Sequence, residues 1–185
     1  MGRQRVIRYS PLPSQKRFHL STARFKGYSG SVGSGKSAAL CQEAIRLSYL
    51  NPGRTGLLGA PTYPMLRDAT LAALIEILET NKLPYDLNRS EFVLRFKDTG
   101  SRILLRSLDE YERLRGTNRA WFGVDELSYT AEEAWTRLEA RLRDPLAKRL
   151  CGFGVWTPKG RDWLWRRWVQ SPVDGYELIS AKPFE

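Results

Sequence analysis

Apolar and polar positions change period several times along the chain, and each change marks an element. Ala39, Leu40, Ala44 and Leu47 recur at helical spacing, and Asn51-Pro52-Gly53 stops the run. Thr55-Gly56-Leu57-Leu58-Gly59-Ala60 is short and almost free of polar groups, which predicts a buried strand. Leu71, Leu74, Ile75 and Leu78 fall at i, i+3, i+4 and i+7, a helix set off by Pro61 and Pro64. Residues 92–96 and 103–105 flank Asp98-Thr99-Gly100 in a hairpin pattern. Residues 120–124 and 152–156 are continuous apolar runs, as strands covered on both faces are. Between them Ala131, Trp135, Leu138 and Leu142 mark an amphipathic helix. Residues 25–29, poor in hydrophobic side chains, offer only Phe25 and Tyr28 for a strand. Strand and helix alternate, so the expected class is α/β, a mainly parallel sheet flanked by helices on both faces.

Composition narrows this little. The 185 residues suit one domain with a sizeable core, and no repeat or linker divides 1–185. No apolar run reaches the 18 residues of a membrane span, and no secretory leader is visible. Cys41 and Cys151 fall in a predicted helix and strand, where they read as small core residues. His19, the single histidine, reads as a packing or surface residue.

Charge changes the picture more. The net charge is +10, unevenly spread. The basic N-terminal segment 1–26 holds Arg3, Arg5, Arg8, Lys16, Arg17, Arg24 and Lys26 and no acid. A second basic stretch holds Arg141, Arg143, Lys148, Arg149, Lys159, Arg161, Arg166 and Arg167. This asymmetry points to an anionic partner larger than a nucleotide, most simply nucleic acid, against the blander reading of a solvated basic surface. Trp163, Trp165 and Trp168 interleave with the last arginines, and Trp165 and Trp168 are expected to share one helical face, turned to the core.

The chemistry is concentrated in Gly30-Ser31-Val32-Gly33-Ser34-Gly35-Lys36-Ser37, a full match to the P-loop pattern G-x-x-x-x-G-K-[ST]. Its glycines let bare N–H groups approach phosphate oxygens, Lys36 supplies charge to the β- and γ-phosphates, and Ser37 offers a hydroxyl to Mg²⁺. ATP and Mg²⁺ are therefore the expected ligands. Asp125-Glu126 follows a buried strand directly. Asp125 is placed to face the metal, and Glu126 to polarise a water as general base. A kinase would not need Glu126, so the pair leans toward hydrolysis.

Three weaker signals join these. Arg115, beside Gly116, is a candidate to stabilise the charge of phosphoryl transfer, although position alone does not separate it from a surface arginine. Thr157 ends the strand before Pro158-Lys159-Gly160, where ligand crevices of doubly wound sheets lie. Gln15 carries an amide able to read both donor and acceptor on an adenine edge.

Taken in order, these segments resemble the ATPase domain of the large terminase subunit, the DNA-packaging motor of tailed double-stranded DNA viruses. The resemblance runs through Leu12-Pro13-Ser14-Gln15, the octapeptide, Ala60-Pro61-Thr62-Tyr63-Pro64 and Arg106-Ser107-Leu108-Asp109-Glu110. It continues through Arg113-Leu114-Arg115-Gly116, Phe122-Gly123-Val124-Asp125-Glu126-Leu127 and Thr157-Pro158-Lys159-Gly160. It implies a P-loop NTPase of RecA-like (ASCE) type. It also implies adenine contact by Gln15, metal binding by Ser37 and Asp125, catalysis by Lys36 and Glu126, and a coupling role for Thr157. Arg115 resembles an arginine given in trans to a neighbouring subunit, with cis action left open. Ser31 and Val32 stand where many terminases carry a basic residue.

The family implies further partners and a place of action. These are double-stranded DNA held without base reading, a homo-oligomeric ring when assembled, a portal protein and a small terminase subunit, in the host cytoplasm at the procapsid portal with no membrane. The nuclease domain usual in the family is not expected within 1–185, so no nuclease activity is. A RecA-like helicase or recombination ATPase, and a P-loop nucleotide or small-molecule kinase, are the competing readings.

Overall fold

The computed structural model describes residues 5–183 and Glu185. Arg3 of the first basic stretch and Phe184 lie outside the described residues.

Eight strands form one sheet: β1 (Phe25–Ser29), β2 (Thr55–Ala60), β3 (Tyr85–Asn88), β4 (Val93–Phe96), β5 (Arg102–Ser107), β6 (Trp121–Val124), β7 (Cys151–Trp156) and β8 (Tyr176–Ser180). Their order is β3-β4-β5-β2-β6-β7-β1-β8. Only the β3–β4 and β4–β5 pairs are antiparallel; the others are parallel. β7 thus lies between β1, which leads into the P-loop, and β6, which leads into Asp125.

The helices are α1 (Pro13–Leu20), α2 (Lys36–Leu50), α3 (residues 63–80), α4 (Glu132–Ala140) and α5 (residues 163–170). α1, α2 and α3 cover one face, with Phe18, Leu40, Leu47, Leu74 and Leu78 in one core with Tyr28, Leu58, Trp121 and Phe153. α4 and α5 cover the other, with Trp135, Leu138, Leu164 and Trp168 beside Phe122, Val124 and Trp156. Neighbours such as Trp121 and Phe122 enter opposite cores because side chains alternate along a strand. That is why residues 120–124 read as an unbroken apolar run.

β3 and β8 are the two outermost strands, and neither was expected. Their side chains are half-buried or exposed by turns, Ile179 excepted, so no continuous apolar signal marks them. The hairpin strand expected at residue 92 begins instead at Val93, because Phe92 takes φ +55, outside the extended region.

α3 and α5 each contain a π-helical turn, Leu66–Leu71 and Arg166–Gln170. The turn in α5 corrects the expected pairing of Trp165 with Trp168. Ser171 N–H donates to the Arg166 carbonyl at 3.0 Å, five residues back. The added residue turns Trp163 and Trp168 toward one another, ring centroids 6.3 Å apart. Trp165 stays half-exposed, with the Arg161 guanidinium 5.2 Å from its ring centroid. Arg167 pairs with Glu132 and Glu139, so it belongs to the fold rather than to a free basic surface.

Lys26 is likewise withdrawn from the basic surface. It is fully buried, and its Nζ lies 2.7 Å from Oε1 of the fully buried Glu43. Arg46 and His19 Nδ1 also contact Glu43, joining α1, β1 and α2 behind the P-loop. Burial opposes ionisation of Glu43, but the hydrogen bonds from His19 and Arg46 and the Lys26 charge outweigh it and lower its carboxyl to about 2. The folded value lies below the unfolded one, so this stability is present above about pH 4.5 and lost as pH falls toward 2. Glu43→Ala would leave Lys26 buried without its partner, a loss of about 3–5 kcal/mol. Denaturant unfolding checks this; a loss below about 1 kcal/mol would show the cluster to be dispensable.

Candidate functional site

β1 ends at Ser29, and residues 30–35 turn the chain into α2. Gly30 N–H donates to the Trp156 carbonyl at 3.1 Å, which seats the loop against the end of β7. Gly33 and Gly35 take φ +79 and +78, the left-handed region that glycine enters without penalty. Gly35 caps α2, whose first N–H groups and positive dipole end face the loop. Lys36 is 8% exposed, and its Nζ donates to the Ser31 carbonyl at 2.6 Å. A phosphate oxygen would take the same donor. Ser34 Oγ is buried without a hydrogen-bond partner among the described residues, an orphan hydroxyl inside the loop suited to a phosphate oxygen. Ser31, Val32 and Ser37 are exposed.

β6 brings Asp125 and Glu126 to the same end of the sheet. Asp125 N–H donates to the Gly59 carbonyl at 2.8 Å, and its side chain is buried. Oδ2 accepts from Thr70 Oγ1 at 2.7 Å, and Oδ1 accepts from Glu126 N–H at 3.0 Å. Burial pushes the Asp125 carboxyl up, while Thr70, the Glu126 N–H and the Lys36 charge pull it down. Glu126 is half-buried, and its carboxyl too is raised, by burial and then by the Asp125 charge. Its φ of +47 is unusual for a residue with a side chain, a form of strain that collects at functional sites. A hydroxyl and a carboxylate are hard oxygen donors, and Mg²⁺ keeps most of its waters beside one or two such groups. Ser37 and Asp125 are a set of that kind.

Thr157 directly follows β7 and is half-exposed. Gln15 is buried against the P-loop: its Oε1 accepts from Leu12 N–H at 2.8 Å, and its Nε2 donates to the Gly35 carbonyl at 2.9 Å. One N–H and one lone pair of this amide remain for a base. The structure thus gathers Gln15, residues 30–37, Asp125, Glu126 and Thr157 at the carboxyl ends of β1, β6 and β7. Arg115 is not among them. Its loop runs from the carboxyl end of β5 back to the start of β6. Gly116, Thr117 and Asn118 border a cavity with Arg54, Arg141 and Asp144, at the amino ends of the strands. Arg115 is exposed between this cavity and the one that Arg113 and Leu114 line with Ser107 at the carboxyl end of β5, and it forms no hydrogen bond to the P-loop among the described residues. A cavity of about 580 Å³ between residues 5–11 and helices α1 and α2 is lined by none of Lys36, Ser37, Asp125 and Glu126.

Thr70 is the site residue that sequence reasoning missed. It sits in the π-helical turn of α3, 1% exposed. A signal existed: Leu66, Thr70, Leu74 and Leu78 are four apart, all buried, with one polar member. Thr70→Val keeps the shape and removes the donor to Asp125. Loss of such an outer hydrogen bond typically costs about 10–100-fold in metal affinity or activity. Were Asp125 to hold Mg²⁺, the Mg²⁺ concentration for half-maximal turnover would rise accordingly, with Thr70→Ser restoring it. An unchanged Mg²⁺ dependence in the valine variant would make the bond incidental.

No protein-family model and no curated protein sequence matches the chain. Solved structures do. The ATPase domain of the large terminase of Thermus phage P74-26 superposes with TM-score 0.76 at 22% identity, over 93% of this chain and 81% of that one. The chain has the fold of a large-terminase ATPase domain. The large terminase of a thermophilic bacteriophage, in complex with ADP, gives TM-score 0.79 at 16% identity over 92% of this chain. The chain spans 45% of that terminase's length. The Phi-28 gp11 DNA packaging motor gives TM-score 0.61 at 12% identity, over 92% of this chain and 59% of that one. Within this terminase-like fold, strand order puts Lys36 and Asp125-Glu126 at one end of the sheet. Among the described residues, no helix is long and apolar enough to cross a membrane.

Proposed function

We propose that this chain is the ATPase unit of a viral DNA-packaging motor, hydrolysing ATP with Mg²⁺ to move double-stranded DNA. The observation that carries the reading is the meeting of Lys36, Asp125 and Glu126 at one end of the sheet, within the fold that the terminase ATPase domains share. Likeness to a thermophilic-phage terminase solved with ATP-gamma-S supports the choice of nucleotide.

The loop N–H groups and Lys36 would hold the phosphates, and Ser34 Oγ is placed to add a hydrogen bond. Ser37 and Asp125 would hold Mg²⁺, with Thr70 orienting the Asp125 carboxylate. Mg²⁺ when bound neutralises charge on the β- and γ-phosphates. Glu126, its carboxyl raised and so more basic than usual, would orient the attacking water and take its proton. Gln15 would steady the loop and contact adenine, and Thr157 would sense the γ-phosphate. Arg115, exposed on the loop between β5 and β6, would complete a neighbour's site within a ring. Basic groups would hold DNA phosphates without reading bases. The assembled ring would act on the portal in the host cytoplasm, together with a small terminase subunit.

Phosphate release measured with and without double-stranded DNA tests the reading. ATP turnover that DNA stimulates is expected; turnover that needs a small acceptor and ignores DNA would indicate a kinase. Mixing Arg115→Ala with Lys36→Ala chains is expected to recover part of the activity, because mixed interfaces pair an intact P-loop with an intact arginine. No recovery at any ratio would count against the trans role.

A further inference from the structure

We propose that Lys159 is a second cation of the catalytic centre, reaching the γ-phosphate of the chain's own nucleotide from the loop that follows β7. This deepens the ATPase reading and rests on it.

The loop is anchored at the right place. Trp156, last residue of β7, accepts the hydrogen bond of Gly30, first residue of the P-loop, so residues 157–160 leave the sheet beside the phosphate cradle. Gly160, at φ +77, turns the chain back immediately, which keeps Lys159 at that end. Its Nζ lies 2.9 Å from the ring centroid of Tyr129. Tyr129 ends the short 3₁₀ turn Leu127–Tyr129, which begins directly after Glu126. Lys159 is therefore held over the carboxylate side of the site, whereas Lys36 is held on the P-loop side. The charges of these two lysines are the cationic ones felt at the Glu126 carboxyl.

Lys159 is also uncommitted. It forms no salt bridge among the described residues, while other basic groups, such as Lys26, Arg54 and Arg167, are paired with acids. Its aromatic partner is 60% exposed, and a cation on an exposed ring is weakly held. A doubly charged phosphate oxygen cluster would displace that contact. The flexible four-carbon stem of a lysine lets the ammonium leave the ring and turn toward the loop. The need for such a group is visible as well. Ser31 and Val32 bring no charge to the P-loop, and Arg115 forms no hydrogen bond to it among the described residues. Lys159 thus belongs to the ATP site rather than to a DNA-binding basic stretch.

Lys159→Met and Lys159→Arg forms of the whole chain test this, by calorimetric binding of ADP and of the slowly hydrolysed ATP analogue ATPγS, and by turnover. In Lys159→Met, ATPγS affinity is expected to fall about 10-fold with ADP affinity unchanged, since only the former carries the third phosphate group. Turnover is expected to fall about 10²-fold. Lys159→Arg is expected to restore most of both. Equal loss of both nucleotides would make Lys159 a support of the loop and overturn the proposal. Unchanged nucleotide affinities, with weaker DNA binding and a salt dependence reduced by about one charge, would make it a DNA contact and overturn it. Failure of the unmodified chain to bind either nucleotide would overturn the ATPase reading itself.

Discussion

Lys36→Ala is expected to reduce ATP turnover by roughly 10²–10³-fold, the range found when one preorganised donor to a developing charge is removed. The argument starts from burial. The residue is 8% exposed and its ammonium is fixed on the Ser31 carbonyl, so the side chain is held across the loop rather than extended into water. A charge held this way costs little reorganisation when the phosphates require it. Its field also reaches both Asp125 and Glu126, favouring their ionised forms. Alanine removes all three effects, and the fold should survive, because one loop hydrogen bond is worth only about 1 kcal/mol. Thermal unfolding near the wild-type temperature, together with near-complete loss of phosphate release, is the expected pair of results. Wild-type turnover in this variant would move the chemistry away from residues 30–37 and sink the ATPase reading.

Glu126→Gln should separate binding from hydrolysis. The amide keeps the size and the left-handed backbone position at φ +47, so nothing in the loop needs to move. It removes the base, a change worth about 10²–10⁴-fold. Nucleotide affinity is expected to be retained, and single-turnover hydrolysis to be slow. Loss of binding instead would make Glu126 a structural residue. pH dependence gives an independent check. Burial and the Asp125 charge raise the Glu126 carboxyl, and the reaction needs its ionised form. The acid limb of kcat/KM should therefore lie above the usual carboxylate range, with the rate rising as pH rises through it. That limb should vanish in the glutamine variant. An acid limb at an ordinary carboxylate value in the unmodified chain would contradict the buried geometry.

Several elements were legible because their physical cause is local. The helix after Lys36 showed its apolar stripe and its Asn51-Pro52-Gly53 stop, and it ends at Leu50. β2 coincides with the run predicted from Thr55 to Ala60. β1 was legible only as a poor strand. The reason is that its buried Lys26 is neutralised by Glu43 on α2, a partner 17 positions away. β3 and β8 were missed because edge strands need no continuous apolar run. The tryptophan pairing failed because a π-helical turn is set by packing and leaves little trace in periodicity.

The octapeptide loop, the carboxylate pair and the alternation that makes a parallel sheet could be read from the chain alone. Each depends on neighbouring residues and on backbone preferences written into them, such as glycines at the left-handed positions 33 and 35. Which groups share one end of the sheet depends on the assembled fold. Strand order put β7 between β1 and β6, and so brought Lys159 and Thr157 beside the P-loop. The π-helical turn of α3 delivered Thr70 to Asp125, and Gln15 became a brace on Gly35. Arg115, only ten residues from Asp125 along the chain, stays exposed on the loop between β5 and β6 without a hydrogen bond to the P-loop among the described residues. The physical reason is that residues distant along the chain meet only through sheet register and helix packing. Those are set by the burial of whole faces, which no local segment encodes alone.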